Sequence, residues 1–206
     1  MNNKVELIGI YGSDETHALS AWTSTSRDLS EDKRTRIPVL LKQLAEAGHH
    51  TPFEKSSLHF LVTGEIASHI HVIKHRIAVS VNTESARYKE LTDKWYLPTD
   101  WPDTEKQRLD EFCKRAFEEY RACLDRLMEQ GYSRKRAKES ARFYLPYANQ
   151  LIFDVMFNFR SFMHFQRLRN DEHAQLEIRE IARTMLELVK EKNEFRYSLQ
   201  AFSQAI

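Results

Sequence analysis

The sequence predicts an α/β (α+β) fold: a single domain over residues 1–206, with a central mixed β-sheet flanked by helices, one of them a long scaffold helix. Three observations predict it. Short β-branched and apolar runs at 5–11, 58–64 and 147–157 read as strands. Segments with apolar residues at helical spacing lie between and after them, and one runs unbroken from residue 104 to 128. With 206 residues the chain can bury one sizeable core, and no linker, repeat or composition shift marks a second domain.

The elements follow in order. VELIGIY, 5–11, is expected as a buried strand. Pro38 in a first helical turn, then Val39, Leu40, Leu41 and Leu44, with Gly48 just past the end, predict a helix over 38–47. HHTPFEK reads as a polar turn, and LHFLVTG, 58–64, as a second buried strand. Ile66, Ile70 and Ile73 predict a helix over 65–75, which puts Lys74, His75 and Arg76 at its C-terminal end, where positive charge complements the helix dipole. A polar turn with Ser85, Arg87 and Tyr88 comes next. After WPD, Thr104 and Gln107 have the spacing of a capping box, and Leu109, Phe112, Ala116, Tyr120, Leu124, Leu127 and Met128 line one face of the scaffold helix before Gly131. Ser133 caps a short basic helix reaching Arg142, Pro146 breaks it, and 147–157 is a strand. Asn158 caps the next helix, and a boundary at Asn170 and Asp171 opens a last one with Ala174, Ile178, Ile181, Met185 and Leu188 inward.

Composition excludes several classes of function. Charged residues make up 30% of the chain yet nearly cancel to +1, which argues against a general nucleic-acid or membrane surface. Cys113 and Cys123 form no CxxC pair, so a disulfide framework and a thiolate metal site are not expected, and a reducing, cytoplasmic compartment is. Both fall on or beside the apolar face of the scaffold helix, where a thiol acts as a small hydrophobe rather than a nucleophile. The histidines show neither HExxH nor zinc spacing, and no metal is expected. With five glycines and neither a Walker loop nor GxGxxG, any dinucleotide cofactor must be held without a Rossmann turn.

Three polar constellations remain: KHR with SVNTESARY, Arg142 before Leu145 and Pro146, and NFRSFMHFQRLRNDEHAQLEIR at 158–179. In the last, arginines and histidines interleave with Phe159, Phe162 and Phe165. Guanidinium groups grip phosphate bidentately and aromatic walls accept flat rings, which suits a nucleotide or a dinucleotide cofactor. Taken one at a time, each arginine is equally an ordinary charged helix face. Two rival readings are a nucleic-acid-binding module that uses these aromatics as a stacking platform, and a helical interaction protein.

KHRIAVSVNTESARY is similar to the signature of flavin-dependent thymidylate synthases, in which Arg-His-Arg is followed by Ser-x-Asn-x-x-Ser-x-Arg-Tyr. HTPFEK at 50–55, ARFYLP at 141–146 and residues 158–179 resemble three further elements of that family in the same order. The resemblance implies a homotetrameric α/β enzyme with active sites at subunit interfaces. It implies conversion of dUMP to dTMP with methylenetetrahydrofolate as carbon donor, NADPH as reductant and FAD as carrier, without a cysteine nucleophile and without nucleic-acid or membrane partners.

Carried over residue by residue, the resemblance makes Arg169, Arg87 and Ser85 the catalytic set, with Arg169 stabilising negative charge that develops on the pyrimidine. Ser85 and Arg87 would cradle the nucleotide, chiefly its phosphate, and Arg142, Arg169, His71 and Lys74 would contact it as well. Lys74, His75, Arg76, Asn158, Arg160 and His164 would line the flavin and folate site, and His49 and Thr51 would approach FAD. The chain departs from the family pattern near these ligands. Lys74 stands for Arg, His71 for Gln, Lys55 for His and His164 for Asn; the spacer after Arg76 is one residue longer, and the family acid is displaced to Glu84.

Overall fold

Four strands, β1 (Lys4–Tyr11), β2 (Ser57–Glu65), β3 (Val79–Thr83) and β4 (Gln150–Phe157), form one sheet in the order β1-β2-β4-β3. The computed structural model describes residues 2–204; Met1 and residues 205–206 of the expected single domain lie outside them. Where mixed strand directions were expected, the sheet is antiparallel. Asn3 bonds Glu65 while Gly9 lies beside His59, and Glu84 N–H reaches Ile152 O while Asn158 N–H reaches Ala78 O. The burial pattern gives the physical reason. Leu58, Phe60 and Val62 of β2 are fully buried and alternate with half-exposed neighbours, the mark of a sheet covered on one face, whereas parallel sheets are covered on both.

Expected as buried, β1 instead buries none of its residues, because it is an edge strand with one neighbour. The other edge, β3, lies between Arg76 and the polar turn at Ser85, where no strand was expected; its five-residue sequence VSVNT is short, as edge strands often are.

The helices are α1 (Asp14–Trp22), α2 (Glu31–Glu46), α3 (Ile66–Ile73), α4 (Asp103–Glu129), α5 (Arg134–Ala141), α6 (Phe159–Arg169), α7 (Leu176–Lys192) and α8 (Arg196–Gln204). Caps set several of their ends. Ser133 accepts from Arg136 N–H at 3.3 Å and Asn158 Oδ1 from Ser161 N–H at 2.8 Å, as the sequence predicts. Gly48, at φ +72°, ends α2 in a Schellman turn in which His49 N–H bonds Leu44 O at 2.9 Å, and this carries His49 out of the helix.

Other ends differ from expectation. α2 starts seven residues before Pro38, because Ser30 with Glu31 and Asp32 opens it and Pro38 is tolerated inside. α4 begins after Pro102 with no side-chain cap, so Thr104 and Gln107 form no capping box. Its buried face is Cys113, Phe117, Tyr120 and Leu124, while Phe112 is half exposed. α7 starts at Leu176 rather than at Asn170, since a turn over 171–174 intervenes. α1 and α8 were not expected; the capping box of Ser13 and Thr16 was the signal for α1.

Packing separates two compact units. The first holds the residues through Lys4, Val62–Lys74 and Asn82–Phe153. Its core is Phe117, Tyr120 and Leu124 of α4 against Ala137 and Ala141 of α5, with Trp95 and Leu145 packed on them. The second holds Val5–Leu61, His75–Val81 and the chain from Asp154 on. Its core is built on rings: Phe60 stacks on Phe162 at 5.7 Å, Phe157 tilts against Phe165 at 5.1 Å, and Phe159 stacks on Phe195 at 5.1 Å.

Candidate active site

In the second unit, α6 and its N-cap carry three of the predicted cofactor residues, Asn158, Arg160 and His164. Phe165 and Arg169 are four residues apart and share a helix face, and His75 sits against both: its ring meets Phe165 edge-on at 5.1 Å, and its Nε2 accepts from Arg169 Nε at 3.1 Å. A guanidinium only donates, so Nε2 carries no proton and His75 is the neutral Nδ1–H tautomer. Arg169 is half-buried, and burial pulls its guanidinium below the ordinary value. Among the described residues no carboxylate pairs with it, so its charge is held by a neutral ring and left uncompensated.

On the exposed side of α6, His164 Nδ1 accepts from Arg167 Nη2 at 3.2 Å. Burial, and then the charges of Arg167 and Arg160, hold its imidazole below the ordinary pKa, so it is neutral. At the start of α6, Arg160 is ion-paired with Glu54 in the 3-10 turn Thr51–Glu54. The pair is half exposed and of the kind that contributes about 0–1 kcal/mol, which leaves Arg160 free to change partners for a ligand anion. Thr51 and His49 are both exposed beside that turn. Asn158 spends its oxygen on the α6 cap, leaving its amide NH2 as the group open to a ligand. The turn after His75 is fastened to α6 by Ser161 Oγ–H on Ile77 O at 2.8 Å and Asn158 N–H on Ala78 O at 3.2 Å. Arg76, just before it, is exposed and has no carboxylate partner among the described residues.

The first unit holds the predicted nucleotide residues other than Arg169. Ser85 opens a turn: its Oγ accepts from Arg87 N–H at 3.2 Å, and its carbonyl accepts from Tyr88 N–H at 3.0 Å and Lys89 N–H at 3.2 Å. Arg87 Nε donates to Glu139 of α5 at 2.7 Å, a bond that holds the Glu139 carboxyl below the usual range. The displaced acid, Glu84, is committed elsewhere: it accepts from Ile152 N–H at 3.1 Å and pairs with Lys89. Arg142 leaves the end of α5 exposed, with no carboxylate partner among the described residues. Lys74 caps α3, also exposed, and His71 lies half-buried on that helix.

Sequence reasoning missed the carboxylates that hold these arginines. Glu54 stands inside the quoted HTPFEK, and Glu139 follows the Ser133 cap, but their partners are 106 and 52 residues away, a pairing that periodicity cannot see. Among the described residues no three of His, Cys, Asp and Glu gather to hold a metal ion.

Comparison with known proteins identifies the family of the chain. The family described as "Thymidylate synthase complementing protein" matches residues 6–193. A flavin-dependent thymidylate synthase of Pseudothermotoga lettingae is 33% identical over 201 residues, covering 90% of this chain and 84% of the relative. That of Kosmotoga olearia is 30% identical over 207 residues, covering 91% and 85%. Among solved structures, the UMP/dUMP methylase PolB from Streptomyces cacaoi bound with 5-Br dUMP superposes with a TM-score of 0.80 at 27% identity, covering 98% of this chain and 95% of the other. The same methylase bound with 5-Br UMP gives 0.81 at 26%, covering 99% and 95%. A match over nearly the whole chain, in sequence and in fold, shows that this protein belongs to the flavin-dependent thymidylate synthase family.

Proposed function

We propose that the protein methylates dUMP to dTMP, with methylenetetrahydrofolate as carbon donor, NADPH as reductant and FAD as carrier, the whole chain acting as one synthase domain in a homotetramer with active sites at subunit interfaces. The observation that carries this reading is Arg169: a half-buried guanidinium, fixed by neutral His75 and unmatched by any carboxylate among the described residues. Family membership supports the reading.

In this reading the residues bind, orient and stabilise. C5 of uracil becomes nucleophilic toward a one-carbon electrophile when negative charge develops on the ring before the new bond forms, and Arg169 is the fixed positive group for that charge. Ser85 and Arg87 take the phosphate, for which Arg87 exchanges or shares its bond to Glu139, and Arg142 adds an uncompensated charge. His71 and Lys74 complete the nucleotide contacts. The remaining donors suit a dianionic dinucleotide: Lys74 and Arg76 are exposed without carboxylate partners among the described residues, Asn158 keeps its amide NH2, and Arg160 can release Glu54. His75, His164, His49 and Thr51 add ring and hydroxyl contacts on that side. When bound, FAD would supply the carriage of reducing equivalents and of the one-carbon unit. No thiol is asked to attack the ring: burial pushes Cys113 up to about 11, far from a thiolate at neutral pH.

The test is product analysis with dUMP, methylenetetrahydrofolate and NADPH, with and without FAD, in parallel with UMP. dTMP that requires FAD supports the proposal. Product from UMP alone would move the substrate to the ribonucleotide, which the methylase bound with 5-Br UMP favours as the second reading. No product from either nucleotide in the complete mixture would overturn it.

A further inference from the structure

His17 lies fully buried in the second unit with both ring nitrogens bonded, and none of the chemistry above uses it. Its Nδ1 is 2.9 Å from Ser198 Oγ and its Nε2 is 2.8 Å from Ser56 Oγ. Ser198 Oγ–H donates to Asp14 Oδ1 at 2.6 Å, and the same carboxylate accepts from the N–H groups of Ser198 at 2.8 Å and Tyr197 at 2.7 Å, capping α8 from another helix. These bonds fix every proton in the chain. Ser198 gives its hydroxyl proton to Asp14, so His17 Nδ1–H donates to Ser198, and Nε2 accepts from Ser56.

The ring also touches three aromatic side chains, Phe53 and Phe159 at 5.3 Å and Phe195 at 5.4 Å. Phe53 belongs to the 3-10 turn Thr51–Glu54, Ser56 follows that turn, and Phe159 is the first residue of α6. A leucine or phenylalanine would fill the same space without any polar atom to satisfy, so what the relay adds is direction. Gly12 is part of the same construction: at φ +89° it brings the start of α1 so close that an added Cβ would lie 2.7 Å from Ser56 Cβ.

We propose that His17 is a positioning residue for flavin binding, holding the turn that carries Thr51 and Glu54 in register with the start of α6 that carries Asn158 and Arg160. The proposal rests on the reading of those residues as the flavin side of the site. Ser56 and Ser198 are its two arms, and Asp14 anchors the second by orienting Ser198.

The test titrates FAD by quenching of its fluorescence into wild type, His17→Phe, His17→Gln and Ser56→Ala, with thermal unfolding recorded for each. His17→Phe keeps the ring packing and strands the Ser56 hydroxyl, and is expected to raise the FAD dissociation constant about tenfold. His17→Gln, which restores a donor and an acceptor, recovers part of that loss. A purely structural role predicts a lower unfolding temperature with FAD affinity unchanged in the folded variant, and that result would overturn the proposal. Should His17→Phe fail to fold, Ser56→Ala decides, since it removes one hydroxyl. Wild type that binds no FAD would overturn the flavin reading itself and this inference with it, a result distinct from wild type and variants binding alike.

Discussion

Arg169 and Cys113 show how differently one residue can be prepared for chemistry. The guanidinium keeps its charge because no conformation of a guanidinium gives up its proton at neutral pH, and burial beside a neutral imidazole leaves that charge uncancelled. The thiol is sealed in the α4 face and pushed up to about 11. Cys113→Ala is therefore expected to lower the unfolding temperature slightly, through the lost core volume, and to leave turnover unchanged; a thousandfold drop in turnover, of the size that removal of a nucleophile produces, would show that the thiol takes part. At this scale the sequence was legible wherever a residue type carries its own chemistry. Arg169, Arg142 and the Ser85–Arg87 pair stand out in it as candidates whose roles the family resemblance implies, whereas Glu54, Glu139 and the His17 relay do not, because their meaning lies in partners far along the chain.

Elements were legible at their caps and illegible where tertiary packing decides. Ser133, Asn158 and Gly48 end or begin helices as their side chains and backbone freedom dictate. The start of α2, the face of α4 and the exposure of β1 were misread. A proline inside a helix, a phenylalanine turned to solvent and an edge strand all satisfy the same local pattern as their alternatives. Under the proposed function Asn158 combines the observed cap of α6 with a proposed contact to flavin, and substitution separates the two. Asn158→Asp keeps an oxygen for Ser161 N–H at a helix N-terminus, so stability should hold while the amide NH2 proposed to face flavin is lost. Asn158→Ala loses both, with about 1 kcal/mol of stability and roughly 2–4 °C in unfolding temperature. Thermal melts and FAD titrations of the pair check this; equal FAD affinity in Asn158→Asp and wild type would confine Asn158 to capping.

At the scale of the whole molecule, the fold class, the long helix and the family could all be read from the chain, while strand direction and the division into two units could not, since both depend on which segments meet. Among the described residues no helix is long and apolar enough to cross a membrane. The buried relay also gives the molecule a pH signature. His17 is held at about 4 by burial, below its ordinary 6.5, so the unfolded chain takes up the proton first and stability is lost as pH falls from 6.5 toward 4. Between pH 6.5 and 5 the loss from this group is about 2 kcal/mol. Asp14, raised by burial against its bonds from Ser198 and Tyr197, works in the opposite sense, and stability from it is gained as pH falls through its raised value. Denaturant unfolding at pH 6.5 and pH 5 should show a net loss in wild type that shrinks in His17→Phe; identical slopes in the two would remove His17 as its source.

Methylation at C5 must expel the hydrogen already there, so the most direct measurement is release of tritium to water from dUMP labelled at C5, with methylenetetrahydrofolate, NADPH and FAD, for wild type and Arg169→Ala side by side. Release should require FAD and fall by roughly 100- to 1000-fold in the variant, with its fold retained. Release that proceeds without flavin, or that survives the loss of Arg169 undiminished, would contradict the account.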